Sequence, residues 1–162
     1  MNTATSYEER LSSPRTTALF ASLSLLFLAL GAARVAARGF DGWSIALLLL
    51  FGVFLFYTFN YRTLVIRLTP ESLQLTFGLF SWTIPRDAIA ACRLDDSPPF
   101  LKYGGAGIHF LTVHGRYRAS FNFLEYPRLV LELRTKRGLV RDIAFSTRRP
   151  DEILRNLQDS SG

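Results

Sequence analysis

Two uncharged apolar runs dominate the front of the chain. From Thr16 to Ala33 and again from Gly42 to Tyr61 no charged residue occurs, whereas the connector between them carries Arg34, Arg38 and Asp41. A helix needs roughly 20 apolar residues to cross hydrocarbon, so the pattern predicts a hairpin of two transmembrane helices at about 16–36 and 42–61. Ala29 and Ala33, four apart, form a pair of small residues that predicts close approach of the second helix. Trp43 near one end of that helix, and Tyr57, Phe59 and Tyr61 near the other, suit the two headgroup levels. Residues 1–15 are polar without a sustained apolar period, which predicts a short flexible head.

After Tyr61 the period becomes two. Leu64, Ile66 and Leu68 alternate with Thr63, Val65 and Arg67, and Leu73, Leu75 and Phe77 alternate with Ser72, Gln74 and Thr76. Such alternation marks half-buried strands, and Thr69-Pro70-Glu71 turns between them. The same reading predicts strands at Phe80–Ile84, Ile89–Leu94, Ile108–Val113, Tyr117–Phe123, Leu129–Leu133 and Leu139–Phe145. Pro150, Asp151 and Glu152 then suit a first helical turn, with Ile153, Leu154 and Leu157 as its apolar face. The predicted class is α+β: a helical hairpin, then a mainly antiparallel β sandwich or barrel at 62–158 capped by a C-terminal helix, and a flexible tail at 159–162. Between the fourth and fifth predicted strands, Asp95–Ala106 is long for a loop. Its Pro98, Pro99, Lys102, Tyr103, Gly104 and Gly105 are the candidate partner-binding loop.

Charge narrows the setting. The net charge is +6, and Lys and Arg outnumber Asp and Glu after Tyr61, which suits a domain held near an anionic leaflet. The candidates for lipid-surface contact are Arg62 and Arg67 beside the anchor and Lys136 and Arg137 at a hairpin tip. The single cysteine, Cys92, forms no internal disulfide and reads as a small hydrophobe in a strand. With the polar, cysteine-poor tail, it places both termini on the reducing, cytoplasmic side.

The chemistry-bearing residues do not converge. Asp95 and Asp96 lack further acidic ligands and read as a solvated turn. His109 and His114 fall on opposite sides of a regular strand. Tyr117, Phe121 and Phe123 beside Arg116 and Arg118 are assigned by alternation to the core rather than to stacking on nucleic acid. No P-loop, GxSxG or HExxH is present. The sequence therefore predicts no catalytic residue, no metal site, no cofactor and no nucleic-acid partner.

Three stretches carry a family resemblance. They are Ile84-Pro85 with Ile89 downstream, the run Lys102 to Ile108 entering a strand, and the hairpin from Val130 to Phe145 followed by Ser146 to Leu154. With the hairpin in front, they resemble the bacterial PH-domain (pleckstrin-homology-like) membrane proteins over roughly residues 16–158. The resemblance implies a bent antiparallel sandwich with a helix plugging one end, in a multi-pass protein of the bacterial inner membrane, with no general enzymatic activity. Specific phosphoinositide binding is not expected, because the first hairpin loop presents Glu71 where convergent Arg or Lys would be needed. The expected function is non-enzymatic: a membrane-anchored module engaging a protein partner or another copy of itself. The alternative is an accessory subunit of a larger envelope enzyme or transporter.

Overall fold

The computed structural model describes residues 6–95, 107–123 and 125–158. The chain divides into two units: one of residues 13–62, the other of residues 1–12 joined with 63–162.

The smaller unit is an antiparallel pair of helices, α1 (Pro14–Arg38) and α2 (Gly42–Asn60). Ser13 caps α1, its hydroxyl accepting from the Thr16 amide at 3.0 Å, and Pro14 fills the first helical position, where a missing N–H costs nothing. At the connector, Asp41 caps α2 in a reciprocal box with Ser44. Asp41 also pairs with the Arg34 guanidinium, which holds its carboxyl well below the usual range. The face of α1 turned to α2 carries Phe20, Ser24 and Gly31. A Cβ on Gly31 would stand 3.1 Å from Leu48 Cδ2, so the missing side chain permits that approach. This corrects the expectation for Ala29 and Ala33: both are exposed, and the small contact residues lie on another stripe of the same helix.

The larger unit contains two sheets. The first has order β1-β2-β3-β4, all antiparallel, from β1 (Tyr7–Ser12), β2 (Thr63–Leu68), β3 (Ser72–Phe77) and β4 (Phe80–Pro85). The expectation of a flexible head therefore fails for residues 7–12. These pair in register with β2 from Tyr7 opposite Leu68 to Ser12 opposite Thr63. The reason is a period-two pattern hidden among charges: Tyr7, Glu9 and Leu11 are buried while Glu8, Arg10 and Ser12 face outward. The expected 62–158 unit accordingly lacked its edge strand.

The second sheet has order β5-β8-β9-β7-β6. Its strands are β5 (Ile89–Leu94), β6 (Gly107–Val113), β7 (Arg116–Asn122), β8 (Arg128–Arg137) and β9 (Val140–Ser146). All neighbours are antiparallel except β7 and β9, which run parallel. A helix, α3 (Pro150–Gln158), follows and buries Ile153 completely. The core lies between the sheets. Leu64, Ile66, Leu75 and Phe77 from the first, and Leu129, Leu131, Ile143 and Phe145 from the second, have no exposed surface. Phe77 meets Phe123 with ring centres 5.0 Å apart, and Trp82 meets Phe121 edge-on at 6.1 Å. Burial of each such side chain contributes about 1.5–3 kcal/mol, which is what fixes the strand faces.

Candidate membrane anchor and charged face

The outer surface of the helix pair is apolar. Leu25, Leu26, Ile45, Leu49, Val53 and Phe59 are among its exposed residues, with Leu49 at 66% and Phe59 at 65%. In a water-soluble domain such residues turn inward; here few residues of either apolar stretch are buried. By length and composition, both helices suffice to cross a membrane. At ~1.5 Å per residue, the 19 residues of α2 extend ~28 Å, close to the ~30 Å of bilayer hydrocarbon. Aromatic rings gather where α1 begins and α2 ends: Phe20 lies 5.6 Å from Tyr57 and 6.1 Å from Tyr61. Phe40 and Trp43 stand exposed at the connector.

In the larger unit, alternation places polar side chains on the second sheet's other face, and strand order brings them together. Residues directly opposite across a ladder share a face. Arg118 faces Asp142, which faces Glu132; Arg116, Arg128, Arg93 and Asp95 follow at even spacing on the same side. The result is a chain of ion pairs. Arg128 reaches Asp95 at 2.7 Å, and Arg118 lies 3.5 Å from Asp95 and 3.7 Å from Asp142. Arg116 binds Asp142 at 2.8 Å and Glu132 at 3.1 Å, and Arg93 closes on Glu132 at 3.2 Å. Asp95, Arg118, Arg128 and Asp142 are buried. Glu132 is held below the usual carboxylate range, first by its hydrogen bond from Arg93. Each buried charge is tolerable only because the next one pairs with it.

This revises the reading of Asp95 as part of a solvated turn; Asp96 lies outside the described residues. His109 sits on the same face, in the row of Ser120, Ala144 and Val130. Burial, and then the Arg128 charge, push its pKa down, so the ring is neutral. Among the described residues, neither ring nitrogen has a hydrogen-bond partner. His114 occupies the β6–β7 turn with φ 48°. Phe121 and Phe123 are buried, as alternation predicts, while Tyr117 is half-buried and stacks on Phe110 at 6.0 Å. Cys92 is half-buried, and burial pushes its thiol up to about 12. Among the described residues, no group of three His, Cys, Asp or Glu is placed to hold a metal ion.

A further buried carboxylate, Glu9, fastens β1. Glu9 accepts from Thr147 Oγ1 at 2.6 Å, from the Arg148 amide at 2.9 Å and from the Tyr7 hydroxyl at 2.8 Å. Burial first, and then this bond to Glu9, raise Tyr7 above its ordinary phenol value. Tyr126 donates to the Ser12 carbonyl at 2.8 Å, and the Arg149 guanidinium lies 5.2 Å from the centre of the Tyr7 ring. Sequence reasoning missed this clasp together with β1. Its signal was the Tyr7-Glu9-Leu11 alternation.

The basic residues singled out from sequence occupy separate places. Arg62 is exposed between α2 and β2, while Arg67 lies toward the far end of β2 and pairs with Glu8 at 3.0 Å. Lys136 and Arg137 end β8, where Arg137 donates to the Thr83 carbonyl. The loop residues Pro98, Pro99, Lys102, Tyr103, Gly104 and Gly105 lie outside the described residues. No protein-family model, curated protein or solved structure matches the chain.

Proposed function

We propose that the chain is a membrane-anchored, non-enzymatic interaction module. In this reading α1 and α2 span a bacterial inner membrane, and the two-sheet unit lies on the cytoplasmic side, presenting its surface to a protein partner or a second copy. The observation that carries the reading is the outward apolar surface of the helix pair, which water would penalise and lipid accommodates. Pairing of Ser12 with Thr63 supports it further, since the residues flanking the hairpin are adjacent, as two crossings require. The resemblance to bacterial PH-domain membrane proteins belongs to the same proposal. Element order and the closing helix favour it, and the parallel β7–β9 pair departs from its antiparallel sandwich.

Two measurements on one set of membranes test the proposal. The chain is expected to stay in the pellet after an alkaline carbonate wash, and a reporter active only outside the cytoplasm, fused after Gly162, is expected to be silent. Release by carbonate would overturn the anchor, and reporter activity would overturn the orientation. Gentle solubilisation and co-purification then identify what the module holds. A stoichiometric membrane enzyme would replace the module reading with that of an accessory subunit.

A further inference from the structure

We propose that the two hairpin tips Gly78-Leu79 and Gly138-Leu139 are membrane-interface contacts that sink their leucines among lipid headgroups; this rests on the anchored reading above. β3 and β4, like β8 and β9, are joined by two residues. In each joint a glycine comes first, with φ 57° at Gly78 and 63° at Gly138. A tight hairpin turn with glycine at its first central position explains those glycines. It does not explain the leucine after each. Leu79 is 82% exposed and Leu139 is 76% exposed, at positions where turns ordinarily carry polar residues. Phe80, 48% exposed, extends the first apolar tip.

Register sends both tips to one end of the unit. Leu11 faces Leu64, and Leu64 faces Phe77. The Gly78-Leu79 turn therefore projects past the edge where the chain leaves for α1 after Ser12 and returns from α2 before Thr63. In the second sheet Leu133 faces Ile89, and four residues further along β8 Arg137 donates to the Thr83 carbonyl. Each step toward the tip of β8 thus moves back along the chain toward Phe80, so Gly138-Leu139 points to the same edge. The links at that edge are short: Ser13 alone separates β1 from α1, and Tyr61 and Arg62 separate α2 from β2.

Charge completes the argument. Lys136 and Arg137 precede the second tip, and Arg62 stands exposed at the junction with β2. An exposed leucine flanked by cations suits an anionic leaflet, where the cationic stems lie along apolar surface and their heads reach the phosphates. The opposite end of the first sheet carries Thr69-Pro70-Glu71, whose acid replaces the exposed leucine of the other two tips. A bilayer is therefore the occupant favoured over a soluble protein.

The test uses the full chain with Cys92→Ala, carrying Leu79→Cys, Leu139→Cys or the control Glu71→Cys. Each variant is labelled with an environment-sensitive dye and reconstituted into vesicles containing phosphatidylglycerol. Circular dichroism of each labelled chain confirms the native fold, as expected for substitutions at exposed turns. Dyes at 79 and 139 should be blue-shifted, quenched by lipids brominated near the headgroup and protected from iodide, and the dye at 71 should behave oppositely. Iodide access at 79 and 139 equal to that at 71, with the chain still retained after a carbonate wash, would overturn the proposal alone. Release of the chain by the wash would overturn the anchored reading and this proposal with it.

Discussion

Replacing Glu9 by alanine should loosen β1 from the rest of the larger unit, at a cost that the geometry bounds. The carboxylate is buried and accepts three hydrogen bonds, from Thr147, Arg148 and Tyr7. Bonds to a charged group contribute about 1.5–3 kcal/mol each. Removing the charge returns part of its desolvation cost, so truncation should cost about 3–5 kcal/mol, the range for breaking one side of a buried charged contact. Against a typical stability of about 5–15 kcal/mol, that is a large loss. Glu9→Gln keeps an acceptor for the two hydroxyls but turns an amide N–H toward the Arg148 N–H, so an intermediate loss is expected. Trp82, in contact with Phe121, reports on this core. Its fluorescence can follow urea unfolding of the micelle-bound chain in a Trp43→Phe background, and hydrogen exchange can follow the amides of residues 7–12. A loss below about 1 kcal/mol for Glu9→Ala, or unchanged exchange in β1, would refute the clasp.

The other predictions concern the charged face and the thiol. Arg118→Met leaves Asp95 and Asp142 each short of a cation and should cost about 3–5 kcal/mol in the same urea assay, whereas Arg67→Ala, which breaks the solvent-screened pair with Glu8, should leave the urea midpoint almost unchanged. His109 titrates below its ordinary 6.5 in the folded chain, so the unfolded chain binds the extra proton first. Stability should therefore be full above that value and fall as pH drops through it, and His109→Phe should flatten the dependence of the urea midpoint between pH 7.5 and 5.5. Cys92, its thiol raised to about 12 by burial, should react with iodoacetamide at pH 8 far more slowly in the native chain than in urea; equal rates would contradict its burial.

The helices and eight of the nine strands among the described residues were legible because each carries a clean local period. β1 was not, since its inward positions include Glu9, and a buried glutamate looks like a solvated one until Thr147 and Arg148, far along the chain, supply its partners. The charged face was half legible. Alternation in β8 and β9 sets Arg128, Glu132 and Asp142 opposite the leucines and phenylalanine, but their burial depends on the order β5-β8-β9-β7-β6, which departs from chain order. Asp95 illustrates the same limit: nothing near it in sequence announces Arg118 or Arg128. The contact stripe of α1 failed for a smaller reason. Ala29 and Ala33 satisfy the small-residue spacing, but Gly31 and Ser24 occupy the side that α2 covers.

The pairing of Ser12 with Thr63 sets a timetable for biosynthesis. β1 leaves the ribosome ahead of both helices, and its partner strand follows about fifty residues later, or ~3–10 s at ~5–20 residues per second. Through that interval β1 waits as an unpaired edge, and Glu8, Glu9 and Arg10 give it the charges that discourage pairing with other chains. In the anchored reading proposed above, completion of the sheet depends on the hairpin returning β2 to the side of the membrane where β1 waits. On that reading, a chain that inserted only one helix would place the two strands on opposite sides of the bilayer and leave Leu11, Leu64 and Ile66 without their cover. On that reading the noncontiguous sheet closes only once both helices have inserted.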